Sequence, residues 1–109
     1  MRKPSNMPNA EAISIAGKFA PYVKRAFPDA EVYLFGSQAR GEQHKGSDID
    51  VGILIPTYDA YPDGYPARLL GELYVDAFEV DRRIEPSLRA KGDSSGFADV
   101  IAENGIRIM

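Results

Sequence analysis

Apolar residues recur every three or four positions in the first part of the chain, which is the spacing of an amphipathic helix. The repeat follows Asn9, a residue type that often caps a helix, and Pro28 ends it. Pro21 lies inside the segment and cannot donate a backbone hydrogen bond to the carbonyl of Gly17. We therefore expect the helix to kink or restart near Pro21. Its apolar positions are Ile13, Ala16, Phe19, Val23 and Phe27.

Three later segments have the composition of strands. Residues 31–35 are rich in β-branched and aromatic side chains and lead directly into Gly36. Residues 48–55 form a nearly continuous apolar run after their first positions, which is typical of a buried strand. Residues 78–85 alternate two sets of side chains, one mostly apolar and one charged, which predicts a third strand ending at Pro86.

The remaining patterned segments predict two more helices and a terminal edge element. Residues 67–77 follow Pro66, which suits the first turn of a helix. Residues 97–104 precede Gly105, for which we expect a left-handed capping conformation, and residues 106–109 form a tail or an edge strand. This order of elements predicts an α/β (α+β) fold in which a small mixed or antiparallel sheet is flanked by helices.

Composition limits the functions that this fold could carry. At 109 residues, 44% hydrophobic and 27% charged, the chain is expected to form a single domain over residues 1–109. It has no cysteine and one histidine, so any metal site must be built from oxygen ligands. The net charge of −3 argues against a broad nucleic-acid interface. No segment resembles a membrane span or a signal peptide, which predicts a cytoplasmic protein with no membrane partner.

Two polar pairs flank the connection between the first two predicted strands. Asp48 and Asp50 are two residues apart, so a strand would direct both carboxylates to one face, which is costly unless a divalent cation lies between them. Their oxygen ligands suit Mg²⁺ or Mn²⁺. Gly36 and Ser37 offer a permissive backbone, N–H groups and a hydroxyl to a phosphate. If the two strands are antiparallel neighbours, both pairs lie at one edge of the sheet and form one site.

The segments GSQARG and SDID, which begin at Gly36 and Ser47, resemble the signature G-S-x-A-R-G…S-D-x-D. This signature is that of the minimal nucleotidyltransferases of the DNA polymerase β superfamily. The resemblance implies a polymerase-β-like fold in which Gly36 and Ser37 hold a nucleoside triphosphate. It also implies that Asp48 and Asp50 bind two Mg²⁺ (or Mn²⁺) ions and are catalytic.

Two further residues of these motifs, Arg40 and Ser47, complete the expected nucleotide-binding set. Arg40 could contact a phosphate through a charge-assisted hydrogen bond. It could equally pair with Asp48 or Glu42 and hold the turn.

The family also has a third carboxylate on a later strand, and two residues of this chain are candidates. An antiparallel neighbour of the second strand would bring Glu85 level with Asp48, whereas a parallel neighbour would favour Asp81. The distance from Glu85 to the apolar residues at 106–108 also resembles the tail of the family. We expect Glu85 to be the third catalytic and metal-binding residue, with Asp81 as the alternative.

The resemblance implies that the chain transfers a nucleoside monophosphate, expected to be AMP from ATP, to an acceptor by two-metal chemistry. The chain is too short for the acceptor-binding domain of larger relatives, so we expect a homodimer mate or a second small protein to supply that surface. Many minimal nucleotidyltransferases are antitoxins paired with a HEPN toxin, which makes a hydroxyl of such a toxin a candidate acceptor. The alternative is a non-catalytic, antitoxin-like module that binds a partner and retains the fold.

Overall fold

Helices and strands alternate along the part of the chain that the computed structural model describes, residues 9–41 and 48–109. In chain order the elements are α1 (Ala10–Ala26), β1 (Glu31–Phe35), α2 (Ser37–Arg40), β2 (Ile49–Ile55), α3 (Tyr65–Val80), β3 (Ile84–Ala90), α4 (Phe97–Asn104) and β4 (Ile106–Arg107). A 3₁₀ turn between β2 and α3 covers Tyr58–Ala60.

The four strands form one mixed sheet in the order β3-β2-β1-β4. Strand β1 is antiparallel to both β2 and β4, whereas β2 and β3 are parallel. The chain passes from β2 to β3 through α3, because parallel strands cannot be joined by a hairpin. A mixed sheet with flanking helices confirms the predicted fold class.

The two faces of the sheet carry different helices. Alternation along β2 puts its odd-numbered residues, such as Val51 and Ile53, into the main core with α1 and α3. On the other face, Leu54 packs with Tyr33 and with Ile101 of α4. Because Asp50 has the same parity as Leu54, it belongs to the α4 face of the sheet. Asp50 is therefore kept away from the main core, and Asp48, which precedes β2, is exposed.

Helix α1 begins where the sequence predicts and continues past Pro21. Asn9 caps it, because its side-chain oxygen accepts hydrogen bonds from the backbone N–H groups of Glu11 and Ala12. The helix does not restart at Pro21. Pro21 and Gly17 both lie on the exposed side of α1, so water can satisfy the carbonyl that lacks a helical donor.

The third strand differs most from its prediction. Residues 78–80 are the end of α3, because the helical spacing of Leu73 and Ala77 keeps that helix packed on the core. Strand β3 begins at Ile84 and continues through Pro86, which was expected to end it. A proline is tolerated there because β3 is at the edge of the sheet. As a result Glu85 lies at the beginning of a strand and not at its end.

The prediction of a left-handed Gly105 is also wrong. Gly105 has an extended backbone, with φ −86° and ψ 173°. A Cβ atom there would lie 2.5 Å from the carbonyl oxygen of Ile101 in α4 and 3.0 Å from that of Leu34 in β1, so the close approach of the Gly105 backbone to both elements explains the glycine. The edge strand expected in residues 106–109 is confirmed as β4.

Across residues 9–41 and 48–109, each helix is too short or too polar to cross a membrane.

Candidate active site

The turn after β1 packs directly against the start of β2. Antiparallel pairing places Phe35 opposite Asp50, so Gly36 follows at the same edge of the sheet. Gly36 has φ 75° and ψ −156°, a conformation that is almost restricted to glycine. A Cβ atom at Gly36 would overlap the Oδ2 atom of Asp50. Both the backbone angles and this contact therefore require glycine, and they bring the Gly36-Ser37 turn against a carboxylate.

Helix α2 is a single turn that begins at Ser37. Its first carbonyl acceptor is Gly36, which accepts from the backbone N–H groups of Ala39 and Arg40 at 3.2 Å each. No side chain caps α2, and its last turn closes through Gly41 at φ 71°. The N–H and hydroxyl of Ser37 therefore lie at the N-terminal end of a helical turn that has no side-chain cap.

The contact that anchors α2 was not predicted from the sequence. Gln38 is only 2% exposed, and its side-chain oxygen accepts a hydrogen bond of 2.8 Å from the side-chain amide of Asn9. The backbone N–H of Asn9 also donates to the carbonyl of Gln38 at 3.0 Å. The residue that caps α1 thus also holds the turn that contains Ser37. No sequence pattern signals this contact, because the burial of Gln38 is not visible in the motif and its partner is 29 residues away.

The acidic residues gather at the start of the parallel pair β2 and β3. The register places Asp50 directly beside Glu85, and Asp48 immediately precedes β2. Asp50 is half-buried, whereas Asp48 and Glu85 are exposed. Burial raises the pKa of Asp50 first, the negative charges of Asp48 and Glu85 raise it further, and the positive charge of Arg40 opposes them. Asp48, Asp50 and Glu85 therefore form one acidic cluster, and Arg40 lies within electrostatic range of it.

Asp81, the alternative third carboxylate, is engaged by Arg83. It accepts hydrogen bonds from Arg83 at the backbone N–H (2.9 Å), at Nε (3.0 Å) and at Nη2 (3.0 Å). These bonds to Arg83 lower the pKa of Asp81. The Nη2 atom of Arg83 also lies 3.6 Å from a carboxylate oxygen of Glu11 on α1. Asp81 therefore stabilises the turn between α3 and β3, and the structure brings Glu85 to the other two acids.

Glu85 reaches this position by a different geometry from the one expected. The prediction assumed an antiparallel neighbour with Glu85 at its end, but β3 is parallel to β2. Because β3 starts at Ile84, the beginnings of both strands coincide, and Glu85 still lies level with Asp50.

The donor chemistry of the acidic cluster fits a hard divalent cation. Within the described parts of the chain, no three carboxylate or histidine side chains are already arranged to enclose a metal ion. The three carboxylates nevertheless repel each other, as the raised pKa of Asp50 indicates, and a cation between them would relieve that repulsion. Mg²⁺ is usually held by one or two carboxylates together with phosphate oxygens and water, and not by a complete protein cage. Asp48, Asp50 and Glu85 are the residues that could hold it.

The remaining predicted binding residues are Arg40 and Ser47. Arg40 is exposed at the end of α2, and its positive charge lowers the pKa of Asp50, which places it within electrostatic range of the acidic cluster. Ser47 and Glu42 lie outside the described residues, so the expectations that involve them stay predictions.

Comparisons with known proteins agree with this fold. A search of solved structures matched a nucleotidyltransferase candidate from Sulfolobus solfataricus, at a TM-score of 0.63 and 19% identity over 89% of this chain and 78% of that chain. It also matched a mutant of the toxin-antitoxin MntA-HpeT, at a TM-score of 0.57 and 20% identity over 86% of this chain and 72% of that chain. A search of curated protein sequences gave no significant match.

The two solved structures are similar to this chain in fold. The family comparison extends further, because the model of the nucleotidyltransferase domain matches residues 17–97. This range runs from the middle of α1 to the first residue of α4, and it contains Gly36, Asp50 and Glu85. Because that match covers most of the sequence, the chain belongs to the nucleotidyltransferase domain family.

Proposed function

We propose that this chain is a metal-dependent nucleotidyltransferase that transfers AMP from ATP to an acceptor hydroxyl. The observation that carries the proposal is the contact between Gly36 and Asp50, which joins a phosphate-binding turn to a pair of carboxylates. Family membership supports nucleotidyl transfer in general. The all-oxygen donor set of Asp48, Asp50 and Glu85 supports the dependence on a divalent metal.

The residues of the β1 side bind the donor. The backbone N–H and hydroxyl of Ser37 donate hydrogen bonds to the β- and γ-phosphates, and the glycine at 36 lets these phosphates approach the backbone. Arg40 supplies a positive charge, and Ser47 is the other donor that the family motif implies. Two divalent ions held by Asp48, Asp50 and Glu85 would stabilise the phosphate charges and lower the pKa of the acceptor hydroxyl.

The reaction is a displacement at the α-phosphorus. The acceptor oxygen forms a bond to that phosphorus, and the bond from the phosphorus to the β-phosphate oxygen breaks, so that pyrophosphate leaves. The proton of the acceptor hydroxyl goes to the carboxylate of Glu85. Glu85 can take this role because it is exposed beside Asp50, whereas Asp81 is engaged by Arg83.

The acceptor is proposed to be a hydroxyl on a protein. The structural likeness to the toxin-antitoxin MntA-HpeT supports a second protein as partner, of the small HEPN type that the sequence resemblance implies. A homodimer mate is the other proposed source of an acceptor surface. A chain that binds such a partner without catalysis would keep the fold but would release no pyrophosphate.

The first test is the thermal stability of the purified chain with each of the four ribonucleoside triphosphates, with and without Mg²⁺. We expect ATP with Mg²⁺ to stabilise the wild type most, by about 2.7 kcal/mol at ~100 times the dissociation constant. Asp48→Asn with Asp50→Asn should remove this effect. The matched control is Asp63→Asn with Glu103→Gln, which removes two negative charges at exposed positions outside the candidate site.

Equal ligand-dependent shifts in the wild type and in the Asp48→Asn, Asp50→Asn variant would contradict the proposed nucleotide site. Stabilisation by ATP without pyrophosphate release, in the presence of acceptor proteins, would indicate the non-catalytic partner-binding module instead. A shift that is lost in the control variant as well would show that net charge alone is responsible.

A further inference from the structure

A groove of about 830 Å³ adjoins the acidic cluster on the side of β3. Asp48 forms one end of its lining, and the last turn of α3 with the following turn forms the rest. The backbone N–H of Ile49 donates to the carbonyl of Arg83 at 2.8 Å, which holds this turn beside the start of β2. The groove therefore reaches the proposed reaction centre at Asp48, the member of the acidic cluster that lines it.

The order of the strands determines which substrate this groove can take. Strand β2, with Asp50, lies between β1 and β3. The phosphate-binding turn follows β1, whereas the groove precedes β3. In phosphoryl-group transfer the attacking and leaving oxygens are roughly in line on opposite sides of the phosphorus. If pyrophosphate leaves on the β1 side, the acceptor hydroxyl must approach from the side of the groove.

The groove carries an exposed aromatic ring with a cation above it. Phe78 is 63% exposed at the last turn of α3, and the guanidinium carbon of Arg82 lies 5.9 Å from the centre of its ring. Arg82 forms no ion pair within the described part of the chain, in contrast to Arg83, which contacts Asp81 and Glu11. An exposed ring beside a cation that pairs with no carboxylate of residues 9–41 and 48–109 suits a ligand that has one apolar and one acidic group.

Other side chains of the groove argue against a polyanionic acceptor. Glu79 and Asp81 line it as well, and the whole chain has a net charge of −3. A nucleic acid would bring several phosphates against these carboxylates, whereas a protein segment brings charges of either sign one at a time. The mixture of Phe78, Arg82 and acidic side chains therefore fits a polypeptide.

We propose that this groove binds the acceptor as a protein segment, with Phe78 and Arg82 as its specificity-determining residues. The segment presents a side-chain hydroxyl to the acidic cluster, an apolar side chain to Phe78 and a carboxylate to Arg82. The inference rests on the proposed function, because the groove takes the acceptor only if the chain transfers a nucleotide. In the step itself the hydroxyl oxygen bonds to the α-phosphorus, its proton goes to Glu85, and pyrophosphate leaves, so the segment becomes a phosphodiester.

The test measures pyrophosphate release by the full chain with ATP and Mg²⁺ in the presence of two synthetic peptides. Both contain a tyrosine next to a leucine; one has a single glutamate beside them, and the other has a lysine in its place. We expect the acidic peptide to accelerate release about tenfold more than the lysine peptide does, the effect of one charge-assisted contact. Arg82→Glu should reverse the preference in favour of the lysine peptide. Phe78→Ala should reduce the acceleration by both peptides.

A similar pair on α1 provides the matched control. The guanidinium of Arg25 lies 5.5 Å from the ring of Tyr22, and neither residue lines the groove. Arg25→Glu and Tyr22→Ala should therefore leave peptide preference and pyrophosphate release unchanged. The thermal stabilisation by ATP, measured on Phe78→Ala and Arg82→Glu, should remain that of the wild type because the donor binds on the other side of Asp50.

Four outcomes would overturn the inference. The first is that neither peptide accelerates release, and the second is that both do so equally and Arg82→Glu has no effect. The third is that Phe78→Ala abolishes stabilisation by ATP, which would assign the groove to the nucleoside. The fourth is that an oligonucleotide with a free 3′-hydroxyl accelerates release and the peptides do not. A failure of the proposed function is recognised separately, because the wild type would then show neither stabilisation by ATP nor any pyrophosphate release, and the inference would fall with it.

Discussion

Asn9 stabilises two helices at once, because it caps α1 directly and anchors α2 through hydrogen bonds to Gln38. Its side-chain oxygen caps α1, while its side-chain amide donates to the buried Oε1 atom of Gln38 at 2.8 Å and its backbone N–H donates to the Gln38 carbonyl at 3.0 Å. Because Gln38 directly follows Ser37, the start of α1 determines where the proposed phosphate-binding turn lies. The first residue of the described fold is thus coupled to the proposed nucleotide site.

Two substitutions of Asn9 separate its two roles. Asn9→Ser retains a helix cap but cannot reach Gln38, so it should lower the free energy of unfolding by about 1 kcal/mol. Asn9→Ala also loses the cap, and the loss should be about 2 kcal/mol. Both should weaken ATP binding, measured by titration calorimetry alongside urea unfolding. If Asn9→Ser matches the wild type in stability and in affinity, the contact with Gln38 does not position α2.

Gly36→Ala tests the contact between the turn and the carboxylate. The positive φ should cost about 1–3 kcal/mol of unfolding free energy, and the added Cβ must displace the side chain of Asp50. We therefore expect loss of the Mg²⁺-dependent stabilisation by ATP in addition to lower stability. Gly64→Ala is the matched control, since Gly64 has φ 78° but open space around it. It should lose stability by about 1–2 kcal/mol and keep its response to ATP.

The two glycine variants also have an outcome that would contradict this prediction. If Gly36→Ala and Gly64→Ala lose the same stability and both respond to ATP, the approach of Gly36 to Asp50 has no part in binding the donor.

The third carboxylate can be identified by comparing two single variants. Asp81→Asn removes the charge that Arg83 binds, so it should lower the free energy of unfolding by about 1 kcal/mol, a value reduced by partial exposure. Glu85→Gln changes an exposed side chain and should alter stability by no more than about 0.5 kcal/mol. Only Glu85→Gln should abolish pyrophosphate release. The reverse assignment of activity would make Asp81 the third acid.

Local sequence patterns were sufficient for most of the proposed donor site. The Gly36-Ser37 turn ends a strand of β-branched and aromatic residues, and Asp48 and Asp50 have the spacing that aligns them on one face. Each of these signals depends on neighbours within a few residues. The antiparallel pairing that joins them follows from the short connection between β1 and β2.

Contacts between distant segments could not be predicted from local sequence patterns. The boundary between α3 and β3 depends on the burial of Leu73 and Ala77 against α1 and the sheet, so the alternation in residues 78–85 was misleading. The direction of β3 was left open, and the parallel direction that the structure shows was expected to favour Asp81, although it is Glu85 that lies beside Asp50. The bond between Asn9 and Gln38 has no signature in either segment, because each residue alone is an ordinary cap or turn residue.

Keeping the Asp50 carboxylate ionised lowers the free energy of unfolding. Burial and the charges of Asp48 and Glu85 raise its pKa above the ordinary value of 3.8, so the folded state binds its proton more tightly than the unfolded state does. Between the two pKa values the folded chain holds more protons, and the free energy of unfolding contributed by Asp50 therefore falls as pH rises. Above the folded pKa the whole penalty is present, and below the unfolded pKa it vanishes.

Asp50→Asn should consequently be more stable than the wild type at neutral pH in a buffer with a chelator, and the two stabilities should converge below about pH 4. Urea unfolding across this pH range measures the difference, with Asp63→Asn as an exposed control that should follow the wild type. Adding Mg²⁺ and ATP should reverse the order at neutral pH, because only the wild type gains the binding free energy. A wild type that is already the more stable protein in chelator at neutral pH would show that a favourable partner, and not repulsion, governs Asp50.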